Sequence, residues 1–184
     1  MRRPSWRRPS SRTAFLVALV IALLAASAQG LIYYRDRRPA LATHAGVGQP
    51  VDLDGTRLQV RTFTVAAELP AQKADKPPVR GPAGSLLVLI VYEQQVDAGV
   101  KIDEHFCDTS LVGDDGTIWQ EDDTVGYQLR RPEALTCSDS DDQPLIPGVS
   151  REIGVSYLVP ARYADQLSWR LSLDEDHQVV EFRP

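Results

Sequence analysis

A stretch of 21 residues without a formally charged side chain, residues 14–34, constrains this chain more than any other feature of its sequence. A helix of that length, rising about 1.5 Å per residue, spans roughly 31 Å and matches the hydrocarbon core of a bilayer. Five arginines precede the stretch, and positive charge on a short leading arm favours keeping that end in the cytoplasm. The sequence therefore predicts a basic cytoplasmic arm over residues 1–13, a single-pass transmembrane anchor over residues 14–34, and an extracytoplasmic remainder.

The same residues fit a second interpretation. A basic arm, an apolar run and small residues at positions 26–28 also make a signal peptide that is cleaved before Gln29. Apolar residues resume at positions 31–32 and a charge appears only at Arg35, which favours the uncleaved anchor. Both interpretations export the rest of the chain, which is then either bound to the cell membrane or secreted.

The exported remainder is acidic. After residue 38 the chain carries 12 basic and 24 acidic side chains. This balance argues against binding to nucleic acid, whose phosphates require basic patches, and against lying flat on an anionic lipid surface. Because an acidic surface also keeps a domain soluble, the charge by itself identifies no partner.

Two cysteines, Cys107 and Cys137, lie in the exported part. Such a pair in an oxidising compartment is typical of a disulfide, and closing a loop of about 30 residues is worth roughly 3 to 4 kcal/mol by the chain-entropy estimate. The alternatives are free thiols or a metal site, but the sequence lacks the further Cys or His ligands of a zinc site. We therefore predict a Cys107–Cys137 bridge that fixes an acidic loop over residues 138–143.

The exported part is predicted to consist of a tether over residues 35–48 and a β-rich domain over residues 49–184. The most apolar run of this domain, residues 85–92, is too short to cross a membrane. It is predicted to be the central strand of the core, buried on both faces or nearly so. Residues 70–84 contain four prolines and two glycines, and this composition predicts a long surface loop.

Turns and alternating patterns organise the rest of the domain. The alternation changes phase near Arg61, which predicts a β-bulge. Glycines and aspartates at residues 113–116 predict a hairpin turn, and residues 161–166 can form one helical turn. Strong alternation follows at residues 149–159 and 167–173. Seven or eight short strands with almost no helical periodicity predict an all-β fold, a β-sandwich.

Several of these segments together resemble a known family. The opening G-x-x-V-x-L-x-G-x-x-L-x-V at residues 48–60 and the L-V-x-x-D-G hairpin at 111–116 are followed by a PG-V…V-x-Y-x-V-P strand at 147–160 and an L-x-W-x-L strand. This order resembles immunoglobulin-like domains of unknown function in surface lipoproteins and anchored proteins of Gram-positive bacteria. Those domains are similar in fold to a secreted mycobacterial immunoprotective antigen. The resemblance implies an immunoglobulin-like β-sandwich and brings no catalytic residues.

Residues that could carry chemistry are few. The histidines are His44, His105 and His177, and none lies in a nucleophile motif; no serine has the G-x-S-x-G context. His105 stands among acidic residues, which is most simply a solvated strand edge. The acidic run at residues 138–142 resembles a calcium loop but lacks its glycine and bidentate glutamate. We expect no enzyme activity, no cofactor and no metal, and we expect Trp119 and Trp169 to belong to the core.

Two functional classes follow from these observations. The favoured one is a membrane-anchored, non-catalytic interaction module that binds a protein or envelope component outside the cytoplasm. The alternative is a secreted or anchored domain that binds a ligand or metal through the acidic loops near Cys137.

Overall fold

The computed structural model describes residues 42–53, 55–100, 107–132, 134, 136–140, 143–173 and 178–184, together with Leu19. The chain divides into two units, residues 1–39 and residues 40–184, and every described residue except Leu19 belongs to the second. Apart from Leu19, the predicted arm and anchor lie outside the described residues, as do His105 and His177. Among the described residues, no helix has the length and apolarity needed to cross a bilayer.

Eleven strands, one short helix and one 3-10 turn form the regular structure of residues 42–184 as far as they are described. The strands are β1 (Thr43–Gly46), β2 (Pro50–Leu53), β3 (Thr56–Ala66), β4 (Glu68–Leu69), β5 (Val79–Arg80), β6 (Ser85–Val96), β7 (Cys107–Gly113), β8 (Ile118–Trp119), β9 (Ser150–Pro160), β10 (Leu167–Leu173) and β11 (Gln178–Arg183). Helix α1 covers Asp123–Gly126, and the 3-10 helix covers Ala161–Tyr163, within the predicted helical turn.

The strands form two packed sheets and one small hairpin. The five-stranded sheet has the order β1-β11-β10-β7-β8, the four-stranded sheet has the order β2-β3-β6-β9, and β4 pairs with β5. Only the β1–β11 pair among these is parallel. The predicted β-sandwich is confirmed.

Strand alternation produces the core between the sheets. Strand β6 lies between β3 and β9, so the predicted central position of residues 85–92 is confirmed. Its alternate residues face the five-stranded sheet and are fully buried, as are their partners across the core. The largest of these side chains are Trp169, Tyr92, Tyr157 and Phe182. Aromatic burial on this scale is a main source of the free energy that stabilises a domain of this size.

The predicted bulge near Arg61 is also confirmed. The register between β3 and β6 shifts between Val60 and Thr62. The extra residue on β3 reverses the phase of the alternation, so that Val60 before the shift and Phe63 after it both contact the main core. The change of phase in the sequence is therefore caused by the bulge, and the apolar residues on both sides of it face the same core.

The predicted tether and the predicted proline-rich loop both contain strands that the sequence did not indicate. Residues 43–46 of the tether form β1, which adds to β11 through main-chain pairing and buries only Ala45. Residues 79–80 of the loop form β5, paired with Glu68–Leu69. Both strands depend on a distant partner and not on their own side-chain pattern, which is why local alternation missed them.

Helix α1 begins in an acidic segment at residues 121–124. Asp122 is its N-cap, and the Oδ1 atom accepts a hydrogen bond from the backbone N–H of Val125 at 3.1 Å. This is the usual way in which an aspartate satisfies a free donor of the first helical turn. The helix is only one turn long, so it has no apolar periodicity to detect.

Candidate interaction surface

The predicted disulfide is present. Cys107 on β7 and Cys137 are bonded, with 5.9 Å between their Cα atoms. The loop that follows Cys137 is also fixed to β7, because the backbone N–H of Cys107 donates to Ser138 Oγ at 3.2 Å. The bridge therefore fixes the start of the acidic loop to the five-stranded sheet, as the sequence predicted.

Two polar side chains from the opposite sheet, the buried Gln94 and the half-buried Arg151, bind the same loop. Gln94 donates to the carbonyl of Cys137 at 3.0 Å. Arg151 on β9 donates to the carbonyls of Thr136 at 2.9 Å and Ser138 at 3.2 Å. Burial lowers the pKa of the Arg151 guanidinium from its ordinary value, although the Asp139 carboxylate opposes that shift. Arg151 also donates to Gln94 Oε1 at 3.2 Å. Nothing in the sequence singled out Arg151, because its partners are distant backbone carbonyls and the amide of Gln94.

In the acidic loop, the carboxylate that the structure describes is hydrogen-bonded to a nearby backbone group. Asp139 Oδ1 accepts a hydrogen bond from the backbone N–H of Leu145 at 2.6 Å. Positions 141–142 lie outside the described residues. Within the described ranges, no three Cys, His, Asp or Glu side chains gather as metal ligands would. His44 lies on β1 with 66% of its side chain exposed, and its Nδ1 atom is 3.6 Å from the Glu181 carboxylate.

The two tryptophans belong to the core region. Trp169 is fully buried, and its ring centre lies 4.6 Å from that of Tyr92 and 5.7 Å from that of Phe182. Trp119 is half-buried and meets Tyr163 edge-on at 4.7 Å. Trp169 therefore lies inside the core, as expected, and Trp119 packs against it as a partly buried residue.

A chain of hydrogen bonds crosses the core from one sheet to the other. Trp169 Nε1 donates to the Tyr157 hydroxyl at 2.9 Å, and that hydroxyl is 2.9 Å from Thr109 Oγ1. Thr109 in turn donates to the Glu121 carboxylate. Burial raises the pKa of Glu121 and is also the main cause of the raised pKa of Tyr157. No motif in the sequence indicates this network, because its members lie on three strands and one loop.

The hydroxyl of Tyr92 differs from that of Tyr157. It is buried, and it has no hydrogen-bond partner in the part of the chain that the structure describes. Burial raises the pKa of Tyr92 well above its ordinary value, with a contribution from the Glu121 carboxylate. Since a buried hydroxyl without a partner is unfavourable, Tyr92 stabilises the core through its ring and not through its oxygen.

Two separate segments together cover part of the outer face of the four-stranded sheet, and we call them the cap: residues 68–80 and 123–130. Gln72 N donates to the Gln128 carbonyl at 2.8 Å, and Arg130 N donates to the Pro70 carbonyl at 3.0 Å. Beneath these bonds, Leu69, Leu87 and Leu129 form a second, smaller core. The cap is therefore an integral part of the fold and not a loose loop.

The cap contains two open depressions. One has a volume of about 450 Å³ and the other about 510 Å³. They adjoin the same segment, since both are lined by Ala71, Lys73, Lys76 and Pro78. Arg130 lines the first depression, so three cationic side chains converge there. Volumes of this size are typical of sites that bind ligands or peptide side chains.

The edges of the two main sheets offer little room for an added strand. Strands β1, β2 and β8 are four, four and two residues long. The long edge strand β9 is partly occupied, because Ser156 O accepts from Asp122 N at 2.8 Å and Gly154 N donates to Ala134 O at 3.2 Å. Short or covered edges are a common protection against unwanted strand pairing.

The chain matches no protein-family model and no curated protein sequence. It is structurally similar to a conserved hypothetical protein from Bacillus anthracis, with 14% identity, a TM-score of 0.52, and coverage of 71% of this chain and 89% of that one. It is also similar to an uncharacterized β-sandwich protein from Clostridium difficile 630, with 9% identity, a TM-score of 0.47, and coverage of 79% and 96%. At these identities the likeness concerns the fold alone.

What this likeness gives is a fold shared with uncharacterized bacterial proteins. The first of them is similar over most of its own length, so the two proteins share a fold. Functional statements about the chain therefore depend on its own residues.

Proposed function

We propose that the protein is a membrane-anchored, extracytoplasmic immunoglobulin-like domain that acts as a non-catalytic interaction module. The observation that carries this proposal is the cap, a built surface with two depressions and converging cations on an otherwise acidic domain. Residues 14–34 supply the membrane anchor, with the arm in the cytoplasm. The partner is a membrane or envelope protein, and nucleic acid is disfavoured by the acidic balance.

The placement outside the cytoplasm has independent support from the disulfide. Cys107 and Cys137 are the two cysteines of the chain and they are bonded to each other. Such bridges persist in oxidising compartments and are rare in the cytosol. A secreted form, cleaved before Gln29, would expose the same domain without its anchor.

The non-catalytic proposal draws on how the buried polar groups are used. Tyr157 and Thr109 link the two sheets, and Arg151 binds backbone carbonyls of the loop after Cys137. The alternative, ligand or metal binding by that loop, gains no support from Asp139, whose carboxylate accepts a bond from its own loop. These polar side chains are thus engaged in stabilising the fold.

Two experiments on the full-length chain test this proposal. A cysteine placed at Ala161, which is exposed, should react with a membrane-impermeant maleimide in intact cells, whereas a cysteine at Ser10 should react only after permeabilisation. Crosslinking in the native membrane, followed by mass spectrometry, should capture one recurring membrane or envelope protein. Labelling at Ser10 in intact cells would reject the topology, and no capture by an exported, folded chain would reject the interaction module.

A further inference from the structure

Two lysines of the cap are brought together by a turn. Lys76 N donates to the Lys73 carbonyl at 3.0 Å, which closes a turn, and a turn of this kind places its first and last Cα atoms within about 7 Å. Both side chains are exposed, and neither forms an ion pair in the described part of the chain. Like charges at this separation repel each other, and the repulsion is relieved when an anion binds between them.

The surroundings do not neutralise this pair. Arg130 lines the same depression and likewise has no ion pair within the described ranges. Glu68 is engaged with Arg80 at 2.7 Å, which leaves Asp75, at the apex of the turn, as the acidic neighbour along the chain. The depression therefore keeps an excess of positive charge on a domain that has twice as many acidic as basic side chains.

The walls of the depressions also contain apolar groups. Leu69 and Ala71 line the first depression, and Val79 lines the second. Nearby on the cap, Tyr127 is 63% exposed, and its ring centre lies 5.5 Å from the Arg131 guanidinium carbon. Exposed tyrosine beside arginine is typical of protein interfaces. A uniformly charged phosphate polymer would use the cations but would leave these apolar surfaces without a partner.

We propose that the cap binds an acidic, extended segment of a partner protein across residues 71–78. Carboxylates of that segment lie between Lys73, Lys76 and Arg130, and its apolar side chains enter the two adjoining depressions. This inference rests on the proposed function, because it names the surface and the partner chemistry of the same module. Attraction of this type accelerates association and weakens as the salt concentration rises.

The test uses the full-length chain in zwitterionic nanodiscs and two probes. The first probe is a fluorescent twelve-residue peptide of alternating Glu and Val, and the second is inorganic polyphosphate of equal charge. The test variant is Lys73→Glu/Lys76→Glu. The control variant is Arg57→Glu/Arg162→Glu, which changes the net charge equally at exposed arginines outside the cap. Because all four positions are exposed, both variants are expected to fold, which their melting temperatures verify.

We expect the peptide to bind, and the lysine variant to weaken its binding about tenfold or more, a loss of about 1.4 kcal/mol. The control variant should stay within about twofold of the wild type, since exposed charges at a distance are largely screened. Equal losses in both variants, tighter binding of polyphosphate than of peptide, or no peptide binding would each overturn the inference.

Crosslinking separates failure of this inference from failure of the proposed function. If the Lys73→Glu/Lys76→Glu chain still captures the recurring partner in its native membrane, the partner binds elsewhere and only the inference fails. If the wild-type chain captures no partner although it is exported and folded, the interaction module itself is rejected.

Discussion

The two buried tyrosines of the core make a sharp test of the hydrogen-bond chain that joins the sheets. Tyr157 and Tyr92 are both fully buried on inner-facing positions of adjacent strands. The Tyr157 hydroxyl bonds to Trp169 and Thr109, whereas the Tyr92 hydroxyl has no partner among the described residues. The same change, Tyr to Phe, therefore removes a satisfied oxygen at one position and an unsatisfied one at the other.

The expected changes in the free energy of unfolding have opposite signs for the two substitutions. Tyr157→Phe leaves the buried indole N–H of Trp169 without an acceptor, and an unsatisfied buried donor costs about 1 to 3 kcal/mol. Tyr92→Phe keeps the ring contact with Trp169 and removes a polar group that has no partner, so we expect a gain of about 1 kcal/mol. For a unit of this size, 1 kcal/mol corresponds to about 4 °C in melting temperature. The expected shifts are about 8 °C downward for Tyr157→Phe and about 4 °C upward for Tyr92→Phe, from the same estimates.

Thermal unfolding of the full-length chain in detergent, followed by near-ultraviolet circular dichroism, measures both shifts. The two variants lose the same atom from the same kind of residue, so each serves as the control of the other. Equal destabilisation by both changes would refute the reasoning, because it would mean that the hydroxyl of Tyr92 is as well satisfied as that of Tyr157.

Three further predictions concern other parts of the fold. Cys107→Ser should lower the free energy of unfolding by about 3 kcal/mol in oxidising buffer, because the bridge closes a separation of 30 residues; an equal loss in reducing buffer would contradict this. Burial raises the pKa of Glu121 above its ordinary value of 4.5. The contribution of Glu121 to the stability of the fold is therefore complete below pH 4.5 and is lost as the pH rises through the raised pKa. Glu121→Gln should therefore be more stable than the wild type at pH 7, with the difference disappearing in urea titrations near pH 4. Gly154→Ala should destabilise by about 1 to 3 kcal/mol, since its Cβ would lie 2.8 Å from Pro132 Cδ and 2.9 Å from Arg131 Cβ; wild-type stability would show that residues 131–132 can move away freely.

The strands with strong local signals were predictable, and the reason is visible in their packing. Residues 85–92 of β6 form an apolar run, the sequences of β9 and β10 alternate apolar with polar residues, and glycine turns precede β6 and β9. Strands β1 and β5 were missed because main-chain pairing to β11 and β4 stabilises them. Local sequence contains no information on a partner that lies far along the chain.

The cap was only hinted at by the sequence. Residues 85–92 are apolar at consecutive positions, and Leu87 faces away from the main core toward Leu69 and Leu129. An apolar residue on the second face of a strand requires a cover, and this was the available signal. The proline-rich composition of residues 70–84 indicated a loop but gave no reason to expect that Lys73 and Lys76 would line a depression.

Among the polar sites, too, some were predictable from the sequence and others were not. The Cys107–Cys137 bridge followed from a count of cysteines and from the predicted compartment. The Glu121–Thr109–Tyr157 chain and the Arg151 contacts depend on how two sheets are packed, and no motif encodes them. The histidine and carboxylate clusters suggested by proximity in sequence contributed no described site.

Site-specific photo-crosslinking in growing cells tests the interaction module at its proposed surface. Ala74 lies in the cap and lines the first depression, while Ala161 is an equally small, exposed residue outside it. A benzophenone side chain at Ala74 should give one recurring adduct with a membrane or envelope protein, and the adduct should disappear in the Lys73→Glu/Lys76→Glu background. The same group at Ala161 should give none. Adducts of equal yield from both positions, or no adduct from Ala74 in a chain shown to be exported and folded, would contradict binding of the partner at the cap.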